Sequence, residues 1–400
     1  MIDPIAPQAA PSRICPPWLI ERLDRHGGQV PFRTYMEWVL HDPVHGAYAS
    51  GQLRIGPQGD FTTAPSLGDD FAALLAPQVA SWLQELGPGN LALIETGPGE
   101  GTLARDLARQ LAEGWPDLAR RTALVLVDPS DGLVERQRQL LADCPLEVRW
   151  CSVAELSAEP RAGVVLAHEV LDALSVDRIV WDGVRWRRQL VALESVGRSE
   201  GPSLTLIAGD ALSAMELRRL GDLGLVEPGA QRQAGWTSEL HPGLTDWLAA
   251  CAVALDRGVL LVIDYAMEAA RYYAPQRSQG TLMAYRGQRA CADPLLEPGF
   301  WDLTAHLCLE TLENAATDCG WRPLGQRRQG EALLALGLAQ RLHGLQQSSG
   351  STLAELFSRR EALLRLVDPA TLGDFRWIAF CRGAFSPGSR PLFLQDPPLA

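Results

Sequence analysis

The stretch LALIETGPGEGTLARDLARQL, beginning at Leu91, restricts what this chain can fold into more than any other. An apolar run meets three glycines at alternate positions, Gly97, Gly99 and Gly101, and then a segment with Leu103, Leu107 and Leu111 spaced four apart. The pattern predicts a buried strand that turns sharply into a helix, with glycine letting main-chain N–H groups approach a ligand. The dinucleotide fingerprint is G-x-G-x-x-G, whose third glycine allows close helix packing. Here the spacing is G-x-G-x-G, running through Pro98, and position 102 is Thr102, so no pyrophosphate cradle of the usual kind is spelled. The alternate spacing suits a ligand whose amino-acid end crosses the turn, as in S-adenosyl-L-methionine (SAM).

Short apolar runs alternate with helical segments beyond this point. TALVLVD, LEVRW, GVVLAHE and VLLVIDYA read as further strands, and FRWIAFCR as a last one. Such alternation predicts an α/β chain with a mostly parallel, Rossmann-like sheet and helices on both faces. VDRIVWDGVRWRRQLVALE reads as a hairpin around a type I′ turn at Asp182-Gly183. SELHPGLTDWLAACAVALDRG reads as a helix closed by Gly258. Asp302 or Thr304 in DLTAHL reads as the cap of a helix around His306. Before Leu91, residues 1 to about 17 are Pro-rich and expected to be poorly ordered. Helices are expected near Trp18, over Phe32 to Leu40 and from about Leu67 to Leu86, with Pro77 bending the last or lying in its first turn. The domain reading is an N-terminal helical and loop extension, 1–88, covering the cofactor site, then a catalytic domain, 89–400, with insertions at about 177–237 and 267–302.

Acidic residues mark the strand ends. Asp128 closes the second strand 27 positions after Gly101, later than the spacing of about 20 in dinucleotide folds, and suits a ribose diol. Glu95 ends the first strand and suits the ligand's ammonium group. His168 and Glu169 end the fourth strand, with Asp172 three residues on, where open α/β sheets place their ligand crevice. Glu169 and Asp172 are expected to share a helical face. Two carboxylates beside an activated methyl suit a guanidinium, which they grip by paired hydrogen bonds. A helix cap for Asp172 and a surface ion pair for Glu169 are the structural alternatives. His168 has no neighbour at metal-ligand spacing, so no metal is expected.

The net charge of −12 disfavours a nucleic-acid partner. No apolar segment approaches the roughly 18 residues of a membrane span. Eight scattered cysteines without a C-x-x-C pair, and a start without a signal or transit pattern, point to the reducing cytoplasm. Trp-rich segments such as WDGVRWRR leave room for a homodimer or partner contact.

YMEWVLHDPVHGAY, GDFTTAPS, ETGPGEGTLARDL, LAHEVLDALSVDRIV, VIDYA, AYRGQRACADPLLEPGFWDLTAHL and LGLAQRLHGL together resemble the MidA-type SAM-dependent methyltransferase family. The similarity runs from about Tyr35 to Phe380. It implies a class I methyltransferase fold, SAM as cofactor and methylation of a protein; in the mitochondrial branch the acceptor is an arginine of a respiratory complex I subunit. It implies Glu95, Gly97, Gly99 and Gly101 as cofactor residues, His168, Glu169 and Asp172 as the catalytic segment, and the loop of Gly59, Asp60, Phe61 and Thr62 as a cover over the cofactor. Glu100, Ser66 and Ser175 depart from the family's usual basic or small residue, Glu and Pro. Tyr285, Arg286 and Arg289 in the insertion read either as a wall of the acceptor channel or as a packed loop with solvated arginines. The competing functional readings are a weak or inactive assembly factor that retains the fold, and a nicotinamide oxidoreductase, which Thr102 disfavours.

Overall fold

The apolar runs become the strands of one seven-stranded sheet: β1 (Leu91–Thr96), β2 (Thr122–Val127), β3 (Glu147–Trp150), β4 (Arg161–His168), β5 (Leu255–Asp264), β6 (Arg322–Arg328) and β7 (Arg376–Arg382). The computed structural model describes residues 13–48, 51, 53–56, 59–128, 131–194, 201–225, 232–346 and 352–398. The expectation for the first 17 residues therefore lies largely outside the described residues. Strand order is β3-β2-β1-β4-β5-β7-β6. The first five strands in this order are parallel; β7 runs antiparallel to β5 and β6. The order reverses at β1, which lies between β2 and β4, so the crevice expected of such a sheet opens at the carboxyl ends of β1 and β4.

Both faces of this sheet are covered, because alternate residues of a strand point to opposite sides. Leu93, Leu124, Leu126, Val164 and Leu166 face a cluster formed with α1 (Asp70–Glu85) and α2 (Thr102–Gly114), including Phe71, Trp82 and Leu107. Ile94, Val125, Val165 and Val262 face the other side, against Leu248 of α4 (Gly243–Ala254) and Leu312 of α5 (Leu309–Asp318). Between β2 and β3 lies α3 (Asp131–Leu140), a helix absent from the sequence reading.

Several expectations are corrected. The helix expected from Leu67 begins at Asp70, after a 3₁₀ turn over Ala64–Leu67, and it contains Pro77 in its interior. Gly258 does not close a helix: α4 stops at Ala254 and Gly258 lies within β5, where an added Cβ would come 1.9 Å from the Gly163 carbonyl oxygen. Close approach of two backbones, rather than a helix end, requires glycine there. Ser238–Leu240, read as the start of that helix, belong to the strand Thr237–Leu240. The hairpin at Asp182 forms, but a type I′ turn needs positive φ at both central residues and only Gly183 has it. The Asp182 carboxylate accepts the Val184 and Arg185 amides instead.

The chain divides into two compact units, with boundaries unlike the expected 88/89. One contains the described residues of 54–174, 241–274 and 305–400, and holds the seven-stranded sheet. α1 belongs to it because Phe71, Leu75, Val79 and Trp82 are core residues of that sheet. The other unites 1–53 with 175–240 and 275–304. Its central strand, Trp186–Glu194, pairs antiparallel with Gln29–Pro31, Asp177–Trp181 and Ser203–Ala211. Ser175 donates to Glu37 at 2.8 Å in this unit. Asp302 caps no helix: it lies in the strand Asp302–Thr304 and accepts the Tyr48 hydroxyl at 2.8 Å, while the next helix starts at Leu309. Arg286 pairs with Glu297 at 2.6 Å and stacks over Phe300.

Candidate active site

The glycine turn leaves β1 at Thr96 and enters α2 at Thr102. Gly97, Gly99 and Gly101 have φ of 59°, 53° and 84°, the left-handed region in which a Cβ is strained. Not all of their amides face outward, as the spacing suggests. Gly97 N–H donates to the Val127 carbonyl and Gly101 N–H to the Pro98 carbonyl, at 2.9 and 2.8 Å. The turn thereby closes on itself and on β2. Among the described residues, the Gly99 and Glu100 amides have no acceptor. A Cβ on Gly97, Gly99 or Gly101 would meet Val170, Ile55 or Gln137 at 2.8, 2.7 and 3.3 Å, so the turn is also tightly packed from three directions.

Glu95, one residue before the end of β1, is fully buried, and burial pushes its pKa up to about 8 against the opposing pull of the Ala104 amide. Its Oε2 has no hydrogen-bond partner among the described residues. A buried, orphaned carboxylate oxygen is costly unless a cationic group completes it. Asp128 follows β2, and its Oδ2 accepts a 2.8 Å hydrogen bond from Gln137 Nε2. The same nitrogen donates to the Gly99 carbonyl at 2.8 Å, and Gln137 Oε1 accepts the Trp150 indole N–H at 3.1 Å. Sequence reasoning missed Gln137, since nothing in ERQRQL separates one polar helix residue from its neighbours.

The loop expected over the cofactor is closed by its own acid. Asp60 Oδ2 accepts the Arg54 amide at 2.9 Å, and the Asp60 amide donates to the Arg54 carbonyl at 2.7 Å. This bonding assigns Asp60 a loop-closing role. Ile55 pairs with Phe61 and carries the loop against Gly99. Thr62 follows, half-buried. The departures Ser66 and Glu100 are both accommodated locally. Ser66 Oγ accepts the Thr63 amide at 3.0 Å and donates to the Thr63 carbonyl at 2.7 Å, and Glu100 pairs with Arg136 of α3 at 3.2 Å.

At the end of β4, burial lowers the His168 pKa to about 3, which leaves the imidazole neutral. Its Nδ1 lies 3.5 Å from Glu169 Oε1, and its Nε2 has no partner among the described residues. Glu169 has φ +52°, a left-handed conformation that costs a non-glycine residue roughly 1–3 kcal/mol. The surrounding bonds hold it there. Its amide donates to the Ile263 carbonyl at 2.9 Å. The next three amides, of Val170, Leu171 and Asp172, converge on Asp264 Oδ2 at 3.3, 2.9 and 3.3 Å. Asp264 Oδ1 takes the Tyr265 amide at 2.8 Å. Burial pushes the Asp264 pKa up, and the four amides pull the other way. Glu169 and Asp172 therefore share a clamped turn, not a helical face. Asp172 is buried, and its carbonyl accepts the Ala305 amide at 2.9 Å. Next to Asp264, the Tyr265 ring stacks on His306. Asp264 stood in the quoted VIDYA, but only the folded turn shows what it holds.

These residues fit the amino-acid and nucleoside ends of SAM. Glu95 offers an orphaned carboxyl oxygen for an ammonium, Gly99 and Glu100 offer amides to a carboxylate, and Asp128 offers acceptors to a ribose. Comparison with known proteins supports the same cofactor. Residues 74–327 match a family described as S-adenosyl-L-methionine-dependent methyltransferase. A Burkholderia thailandensis protein crystallised with S-adenosyl-homocysteine superposes with a TM-score of 0.82 at 30% identity, over 95% of this chain and 94% of that one. The mitochondrial protein arginine methyltransferase NDUFAF7 homolog of Drosophila melanogaster is 28% identical, over 90% of this chain and 83% of its own. Its Xenopus tropicalis counterpart is 27% identical, over 80% and 75%.

Proposed function

The chain belongs to the S-adenosyl-L-methionine-dependent methyltransferase family, and we propose that its acceptor is a side-chain nitrogen of arginine in a protein partner. SAM supplies a methyl group activated by its sulfonium, so the protein mainly has to bring the acceptor to the right distance and line. The observation that carries the arginine reading is the turn after β4. The main chain of Glu169 is held in a left-handed conformation by bonds from both sides, in the same clamped turn as Asp172. A carboxylate carried on a backbone so held can take paired N–H bonds from a guanidinium and draw its positive charge away from the reacting nitrogen. As that nitrogen gains the methyl it gives up a proton, for which Glu169 is the acceptor. His168, with its pKa near 3, stays neutral at physiological pH and does not add a second positive charge. The relatives named as protein arginine methyltransferases support the same acceptor.

Glu169→Gln is expected to lower methyl incorporation from labelled SAM into partner protein by ~100-fold or more, with S-adenosyl-homocysteine affinity within about threefold of wild type. Hydrolysis of the labelled protein should release methylarginine. Label on lysine, glutamine or a small molecule would sink the arginine reading. The local partners of Ser66 and Glu100 support an active enzyme over an inactive assembly factor.

We also propose a reducing, cytoplasmic setting, which the eight cysteines support as free thiols. Disulfide-linked protein taken directly from cells under alkylating conditions would count against it.

A further inference from the structure

We infer that Gln137 is a positioning residue for cofactor recognition, one that makes the grip of Asp128 on the ribose hydroxyls depend on the glycine turn. Gln137 is fully buried. Its side-chain nitrogen donates to the Gly99 carbonyl and to Asp128 Oδ2, each at 2.8 Å, and its oxygen accepts the Trp150 indole at 3.1 Å. Two partners can only accept and the third can only donate, so the amide can face one way. Both of its N–H groups are spent, which leaves none for a ligand. Its influence must therefore pass through Asp128 and Gly99.

The three partners come from three places: the turn after β1, the end of β2, and β3. Each of those segments ends or turns at the rim of the sheet, where strand ends have the fewest ladder bonds to hold them. One side chain on α3 spans all three. The approach is close enough that a Cβ on Gly101 would lie 3.3 Å from Gln137 Cγ, so the third glycine of the turn makes room for this residue. A carboxylate at a strand end can rotate about its own bonds. A charge-assisted hydrogen bond from a fixed amide restricts that rotation and presents the Asp128 carboxylate in one orientation to a ribose diol. Because the same nitrogen bonds Gly99, a shift of the glycine turn would be felt at the ribose end, and the reverse.

The inference rests on Asp128 as the ribose ligand and is independent of the acceptor. Calorimetric titration of the full chain uses two probes: S-adenosyl-homocysteine and its analogue lacking both ribose hydroxyls. Asp128→Asn tests the premise; it should weaken S-adenosyl-homocysteine while leaving the analogue within about threefold of wild type. Gln137→Met keeps the length and removes every hydrogen bond. It is expected to weaken S-adenosyl-homocysteine by about 10- to 30-fold and the analogue by less than about threefold. Trp150→Phe removes only the anchor on the amide oxygen, so it should show a smaller loss with the same dependence on the hydroxyls; it carries the test if Gln137→Met does not fold. Equal losses for both probes in the Gln137 and Trp150 variants would make Gln137 a scaffold of the turn and overturn the proposal. Wild-type affinity in Gln137→Met would overturn it as well. Equal losses in Asp128→Asn would instead remove the premise that Asp128 reads the ribose.

Discussion

Glu95 shows how one buried side chain can couple ligand binding to pH. In the ligand-free protein its pKa is pushed up to about 8 by burial, so at pH 7 it is mostly protonated. A bound ammonium favours the carboxylate form. Binding at pH 7 should therefore release a proton, and S-adenosyl-homocysteine affinity should rise with pH until about 8 as that release is no longer needed. Calorimetry in two buffers of different ionisation enthalpy reads the released proton directly, and Glu95→Gln should abolish it. The linkage for stability runs in the opposite sense. A carboxyl whose folded pKa lies above its unfolded value makes the ligand-free protein less stable as pH climbs from the unfolded pKa, near 4.5, towards 8. An affinity that is flat from pH 6 to 8, with no proton released, would show that Glu95 does not meet the ammonium.

At the scale of elements, the turn after β4 owes its shape to a residue almost a hundred positions away. Asp264 ends β5, the parallel neighbour of β4, and its carboxylate fills the concavity made by three successive amides. Such a concavity is an anion site, here occupied by the protein itself. Asp264→Asn puts an N–H where an acceptor is required. It should destabilise the fold by about 2–4 kcal/mol, the range for a buried charged hydrogen-bond partner left unmatched. Amide exchange at Val170, Leu171 and Asp172 should speed up more than elsewhere in the sheet. Unchanged exchange at those three amides would contradict the clamp. The same lesson applies to Gly258, which resembles a helix stop in sequence and proves to be a contact point between β4 and β5.

At the scale of the sheet-bearing unit, the start of α1 is tied to helices near the end of the chain. Asp70 takes a two-pronged ion pair from Arg359 of Leu353–Val367, at 2.6 and 2.7 Å, and another from Arg341 of Leu338–Gln346. Burial alone would raise the Asp70 pKa, but the two guanidiniums hold it below the usual carboxylate value. A lowered folded pKa contributes stability above the unfolded pKa, near 4, and loses it as pH falls through the folded value. Both arginines are partly exposed, so solvent screening holds each pair to about 1 kcal/mol or less. Urea midpoints of Asp70→Asn and wild type should differ at pH 7 and converge as pH falls through the lowered Asp70 pKa. A gap that persists at low pH would point to packing instead of charge.

Local pattern sufficed where the physics is local. The strand, glycine turn and helix at Leu91 were legible because apolar period and glycine placement act within a few residues, and they carried the cofactor and the fold class with them. Glu95, Asp128 and Glu169 were legible as acids at strand ends, since strand ends are where such sheets bind ligands. Gln137, Asp264 and the clamped geometry of Glu169 were not, because each depends on which strands lie side by side. Strand neighbours are settled by long-range packing, and no spacing along the chain records that β1 lies between β2 and β4, or that an aspartate at the end of β5 receives the amides of the turn after β4.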